Sequence, residues 1–127
     1  MAALVVSVSV AKGLADPGTH IGIFPGGATP AMHAANTPFW IGYGFTAQPG
    51  STAALDDGAT RFELEVDGEP VPMVSEVRAD AASEAHRTDI AVFPAGLPRG
   101  WHDFSGRWFD GGKLILSSRA TIQFVEP

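Results

Sequence analysis

A chain of 127 residues, 45% hydrophobic and 17% charged, has the ordinary size of one domain and can bury roughly two thirds of its unfolded surface in a core. Its net charge of -6, with eight basic residues scattered along the chain, lacks the electrostatic footprint of a nucleic-acid binder and disfavours anionic membrane surfaces. The absence of cysteine rules out disulfides and thiolate metal sites, and 15 Gly with 10 Pro suit short strands joined by many turns.

The stretch Ala2 to Ala11 sets Leu4, Val6, Val8 and Val10 against Val5, Ser7 and Ser9, the period of two that gives a strand two distinct faces. No basic region precedes it, as a signal peptide requires, and it is too short to insert in a bilayer, so it predicts a first strand. From Lys12 to Pro38 a Gly- and Pro-rich stretch reads as a long connection around one brief edge strand, His20 to Phe24. Phe39, Ile41, Tyr43 and Phe45 then share one face of a strand. Its other face carries Trp40, Gly42 and Gly44 and is bare enough to admit a neighbouring backbone or sheet.

Arg61 to Val66 is the clearest half-buried strand, with Phe62, Leu64 and Val66 inward and Arg61, Glu63 and Glu65 outward. Asp67-Gly68 is the two-residue signature of a type I′ hairpin, and its second strand, Glu69 to Met73 with two prolines, must lie at an edge. Arg78 to Glu84 reads as a loop, and Thr88 to Phe93 as a strand with Ile90 and Val92 inward. Pro94 to Gly100 is a corner that feeds a strand from Trp101 to Phe109, on which His102, Phe104, Gly106 and Trp108 share a face. Asp110-Gly111-Gly112 turns the chain into a last long strand, broken near Ser117-Ser118, with Ala120, Ile122 and Phe124 inward. Residues 1–127 thus read as a single all-β domain, an antiparallel β-sandwich of about seven to nine strands with a long connection over 12–38.

The run Ala95-Gly96-Leu97-Pro98-Arg99-Gly100-Trp101-His102-Asp103-Phe104 resembles the corner of bacterial immunoglobulin-like and fibronectin-type modules, where Gly-Leu-x-x-Gly-x-His/Tyr opens the penultimate strand. Phe62 to Val71 resembles the strand-turn-strand that precedes it. The resemblance implies an immunoglobulin-like sandwich in which His102 stands where a tyrosine hydroxyl ties the corner to nearby backbone. It implies a surface or adhesion module, bacterial and cell-surface or secreted, with no chemistry attached.

No constellation for catalysis stands out. His20, His33, His86 and His102 are dispersed without His-x-x-x-His spacing, and Asp56-Asp57-Gly58 lacks the alternating oxygens of a calcium loop and reads as a turn. Ser7 and Ser105 lie in strands rather than on a nucleophile elbow, and Gly26-Gly27 and Gly111-Gly112 lack a phosphate-binding context. We assign no catalytic residue, no metal site and no cofactor.

The aromatic residues are the candidates for binding. Trp40 and Trp101 are out of phase with the inward sets of their strands, and Phe109 shares the face of Trp101, so the three are candidate ligand contacts. A competing reading puts Trp40 in the core beneath the 12–38 segment. The expectation is a non-catalytic recognition or assembly module with a protein or carbohydrate ligand. Its rivals are a carbohydrate-binding module using Trp40 and Trp101, a virion or surface-assembly subunit whose 12–38 arm reaches a neighbour, and a small β-barrel enzyme with a pocket around His102 and Tyr43.

Overall fold

A computed structural model describes residues 3–5, 18–24, 29–47, 58–79 and 85–127. Among them there is no helix, and ten strands are formed: β1 (Ala3–Val5), β2 (Thr19–His20), β3 (Met32–Ala34), β4 (Phe39–Ala47), β5 (Arg61–Val66), β6 (Glu69–Pro70), β7 (Val74–Ala79), β8 (Ala85–Phe93), β9 (Gly100–Asp110) and β10 (Lys113–Val125). They make two sheets, one ordered β1-β4-β8-β7 with β2 also on β4, the other β3-β10-β9-β5-β6. The sheets pack face to face as a β-sandwich. Each sheet is mixed, because β2 lies parallel to β4 and β3 parallel to β10. Both short parallel strands come from the 12–38 connection and lie at the edges of the two sheets.

The interior follows the alternation of the sequence. Phe39, Ile41, Tyr43 and Phe45 of β4 face Phe62 and Leu64 of β5, Phe104 and Trp108 of β9, and Ile122 and Phe124 of β10, all 2% exposed or less. Gly106 sits among them because a Cβ there would lie 2.9 Å from the Phe62 ring and 3.1 Å from that of Trp108. Ile21 and Ile23 also enter this core, although their segment is extended and unpaired as strand.

The turns are those the residues dictate. Asp67 and Gly68 both have positive φ, 53° and 81°, as a type I′ turn requires, and β6 pairs only with β5 at the sheet edge. Gly111 and Gly112, at 60° and 82°, close the β9–β10 hairpin likewise. At the corner before β9, Gly96 has φ +65°, and a Cβ there would stand 2.5 Å from both the backbone N and O of Thr37. Gly96→Ala is therefore expected to cost about 1–3 kcal/mol by overpacking against backbone that cannot yield, read as a lower midpoint in urea unfolding.

Five elements differ from the sequence expectation, the first being the second hairpin strand, expected over Glu69 to Met73 and formed only over Glu69–Pro70. The chain over Val74–Ala79, part of which reads as loop, is strand β7 on the edge of the first sheet; residues 80–84 of that expected loop lie outside the described residues. On β8 the faces are exchanged: Asp89 and Ala91, paired with Tyr43 and Ile41, point between the sheets, whereas Ile90 and Val92 pack with Trp40 on the far side. The irregularity in β10 falls between Leu114 and Leu116, nearer the hairpin tip than Ser117-Ser118. The brief strand expected over His20 to Phe24 is Thr19–His20. The first strand is described only over Ala3–Val5, and Asp56-Asp57 and Gly26-Gly27 lie outside the described residues.

Candidate functional site

The outer face of the β3-β10-β9-β5-β6 sheet carries the exposed side chains of interest. Because β5, β9 and β10 pair in register, Arg61, Glu63 and Glu65 stand beside Phe109, Arg107 and Ser105, and these beside Leu114, Ser117 and Arg119. Arg61 Nε donates to Glu63 Oε2 at 2.7 Å while its guanidinium lies 4.2 Å over the Phe109 ring. Arg107 lies between Glu63 and Glu65, at 3.4 and 3.5 Å. These half-exposed pairs add little stability, about 0–1 kcal/mol each, but they fill the middle of the face with matched charge. Beside them Leu64, Pro70, Val71 and Met73 line a groove of about 290 Å³.

At one end of this face the charges give way to a row that crosses three strands. Trp101 on β9 pairs with Gln123 on β10, and Gln123 pairs with Met32 on β3. Trp101 is 67% exposed and Met32 59%, two of the large hydrophobic side chains that the fold leaves in water. Adjacent strands lie about 4.8 Å apart, so the backbones that carry Trp101 and Met32 are about 10 Å apart with that of Gln123 between them. Asp103 stands two residues along β9 on the same face. Its Oδ1 accepts from the hydroxyl of Thr121 at 2.6 Å, directly across on β10.

The backbone under this row is fixed from below. His102, next to Trp101 but on the inner face, has Nδ1 2.7 Å from Asp67 Oδ2 and Nε2 2.8 Å from the Pro98 carbonyl, four residues upstream. Asp67 Oδ1 also accepts from Asp103 N at 2.9 Å. One carboxylate thus binds the β5–β6 turn to β9 twice, and the ring itself packs edge-on against Phe124. On the other edge, Gln123 N donates to Ala31 O and Ala35 N to Val125 O, which seats β3.

Both partners of His102 are acceptors, so the ring satisfies both only as the imidazolium. Burial works against that charge, but the bonds to Asp67 and the Pro98 carbonyl and the Asp67 charge outweigh it and raise the pKa above 6.5. Burial likewise opposes the Asp67 carboxylate, and the His102 bond, the Asp103 N–H and the His102 charge outweigh it and hold its pKa below 3.8. The stabilisation from His102 is complete below pH 6.5 and is lost as pH rises through its folded value; that from Asp67 is present above pH 3.8 and is lost as pH falls through its folded value. Stability is expected to decline above pH 6.5 more steeply in the native chain than in His102→Phe, which keeps a ring against Phe124. Urea midpoints measured across pH 5 to 9 check this, and parallel curves for the two proteins would contradict it.

The residues expected to bind are dispersed. Trp101 and Phe109 do share the outer face of β9, at opposite ends of it. Trp40 is 3% exposed on the far face of the other sheet, so the exposed Trp40–Trp101 platform does not form. The reason is local: Gly42 offers no side chain, and the Trp40 ring lies over it, within 3.0 Å of where a Cβ would be, against Ile90 and 4.2 Å from the His20 ring. Tyr43 is buried among Phe62 and Trp108, away from the surroundings of His102, and two open sheets replace the closed barrel that a pocket between them required. Among the described residues no group of three or more His, Asp or Glu is placed to hold a metal ion, and no helix is long and apolar enough to cross a membrane.

Met32 and Asp89 carried no signal in the sequence reading. Asp89, 1% exposed, accepts from Phe62 N of the opposite sheet at 2.8 Å, from Ser75 Oγ at 2.6 Å and from Arg87 Nε at 3.0 Å. It joins the two sheets and supplies a partner for an N–H on the open edge of β5.

In comparison with known proteins, no family model, no curated protein and no solved structure matches the chain.

Proposed function

We propose that the chain is a non-catalytic recognition module, an immunoglobulin-like domain of a bacterial cell-surface or secreted protein, which meets its ligand on the outer face around Trp101. The observation that carries this reading is an indole 67% exposed on a strand whose neighbours are locked by His102, Asp67 and the pairing with β10. A large rigid ring held in water loses little conformational entropy on binding, the quality that makes Trp a frequent centre of binding energy. The bacterial and immunoglobulin-like parts of the reading rest on the corner Ala95 to Phe104.

Its test is side-by-side binding of the labelled chain and Trp101→Ala to arrayed glycans and to intact bacterial cells. Wild-type binding weakened about tenfold or more by the substitution is the expected result. Equal signals from the two, or substrate turnover that a single substitution abolishes, would overturn the reading.

A second reading, an assembly subunit, is favoured by the β9–β10 hairpin tip, where Leu114 and Ile115 are 49% and 48% exposed. An assembly role expects the molar mass from light scattering to rise with concentration and to return to that of a monomer in Ile115→Lys. A constant monomer mass removes it.

A further inference from the structure

The geometry points to the Trp101–Gln123–Met32 row as a carbohydrate subsite that stacks one face of a neutral hexopyranose on Trp101 and receives its hydroxyls on Gln123, Asp103 and Thr121. This rests on the recognition reading above and names its ligand class.

One face of a hexopyranose presents C–H bonds, a partly positive apolar patch that matches the negative face of an indole, while its rim presents hydroxyls that each donate and accept. The row offers both halves of that complement. Trp101 supplies the ring and Met32, across Gln123, an adaptable apolar wall on the other side. Gln123 between them has an amide that donates and accepts, Thr121 has a hydroxyl, and Asp103 has a second carboxylate oxygen beyond the one that holds Thr121. The face is held by the sheet on both sides, so little ordering opposes binding.

Other occupants fit less well. An extended peptide binds a sheet through a free backbone edge, but at Gln123 the backbone of β10 is already paired with β9 on one side and with β3 and Ala31 on the other, so a peptide strand would add outside β3, two strands away from Trp101 and its neighbours on β9. A second copy of the chain needs about 800 Å² of well-packed surface per partner, whereas here two apolar side chains are set among polar ones. The rim also decides the charge of the sugar. Asp103 lies on the face and Arg99 is paired with Glu126 at 3.2 Å, while the exposed Arg119 stands one outward position farther along β10, with Asp103 and Thr121 between it and the Trp101–Gln123 row, so the row itself matches a neutral sugar better than a uronate or a sulfated one.

The test uses the tryptophans. Trp40 and Trp108 are buried and Trp101 is exposed, so the indole N–H resonance of Trp101 and the emission maximum report on this site. The whole chain is titrated to millimolar concentrations with cellohexaose, mannohexaose and chitohexaose, with oligogalacturonate as the charged comparison. The expected result is a saturable shift of the Trp101 resonance with at least one neutral oligomer and none with oligogalacturonate. Trp101→Ala is expected to weaken binding about tenfold or more, with Trp101→Phe restoring part. Met32→Ala and Gln123→Ala should weaken it several-fold with unchanged thermal unfolding.

No shift with any neutral oligomer, or a shift that survives Trp101→Ala, overturns the subsite. Silent glycans alongside a protein ligand that Trp101→Ala loses overturn the carbohydrate class and leave the recognition reading in place. New reducing ends released from the oligomers overturn the recognition reading itself.

Discussion

Asp89→Ala is expected to destabilise the domain by about 3–5 kcal/mol, the range for removing one partner of a buried ion pair. The size comes from what the carboxylate holds. It takes Phe62 N across the sheet interface, Ser75 Oγ on β7 and Arg87 Nε on its own strand, in a place that is 1% exposed. Removing it leaves a guanidinium 10% exposed without that anion and a strand N–H facing no acceptor. Asp89→Asn retains an oxygen for Phe62 N and is expected to fall between wild type and alanine. Equilibrium urea unfolding of the three proteins measures the order, and a loss below about 1 kcal/mol in the alanine variant would mean that Asp89 is not the joint between the sheets.

Tyr43→Phe is expected to cost about 2–4 kcal/mol for a single oxygen atom. The Tyr43 hydroxyl oxygen accepts from Ile23 N at 2.6 Å and Phe24 N at 2.9 Å, and together with Ser118 Oγ, which donates to Ile23 O at 2.5 Å, and Trp40 O, which accepts from Ile21 N at 2.9 Å, it holds the segment Ile21–Phe24 over the core. Burial raises the pKa of the phenol despite those two donors, so it stays neutral across the physiological range. In the phenylalanine variant two backbone donors lose their acceptor while the ring still fills its place between Phe62 and Trp108. The loss should therefore be local as well as global. Amide exchange at Ile23 and Phe24 is expected to accelerate far more than at Phe104 in β9, and uniform acceleration would count against the assignment.

The parts of the fold legible in the sequence are those with a local period or a turn that dictates its residues. Phe62, Leu64 and Val66 announce their own face, and Asp67-Gly68 announces the turn that follows, because both signals sit within a few residues. The tie of His102 to the Pro98 carbonyl follows what the resemblance of the corner implies, whereas its second bond, to Asp67, reaches across 35 residues and carried no local signal. Asp89 defeats the same logic. Polarity reads a carboxylate as outward and the flanking Ile90 and Val92 as inward, yet the apolar pair has its own small cluster with Trp40 and the carboxylate has partners inside. Trp40 is placed by Gly42, a relation between neighbours on one face that alternation does not express. Of the candidate site, Trp101 was legible as an out-of-phase ring. Met32 was not, because it sits in a Gly- and Pro-rich connection and gains its place from a strand near the other end of the chain.

That last pairing also bears on how the domain comes into being. β3 is joined to Gln123–Val125, so an edge strand from the first third of the chain waits for almost all of the rest before it can dock. Loop closure over such a span is costly and slow, and during synthesis an outward row of Met32 beside Gln123 does not exist until the final strand has left the ribosome. The proposed binding face is consequently a late product of folding. A nascent or truncated chain without residues 123–125 would have Trp101 on its strand but neither Gln123 nor Met32 in line with it, and capture of the proposed ligand would distinguish finished molecules from unfinished ones.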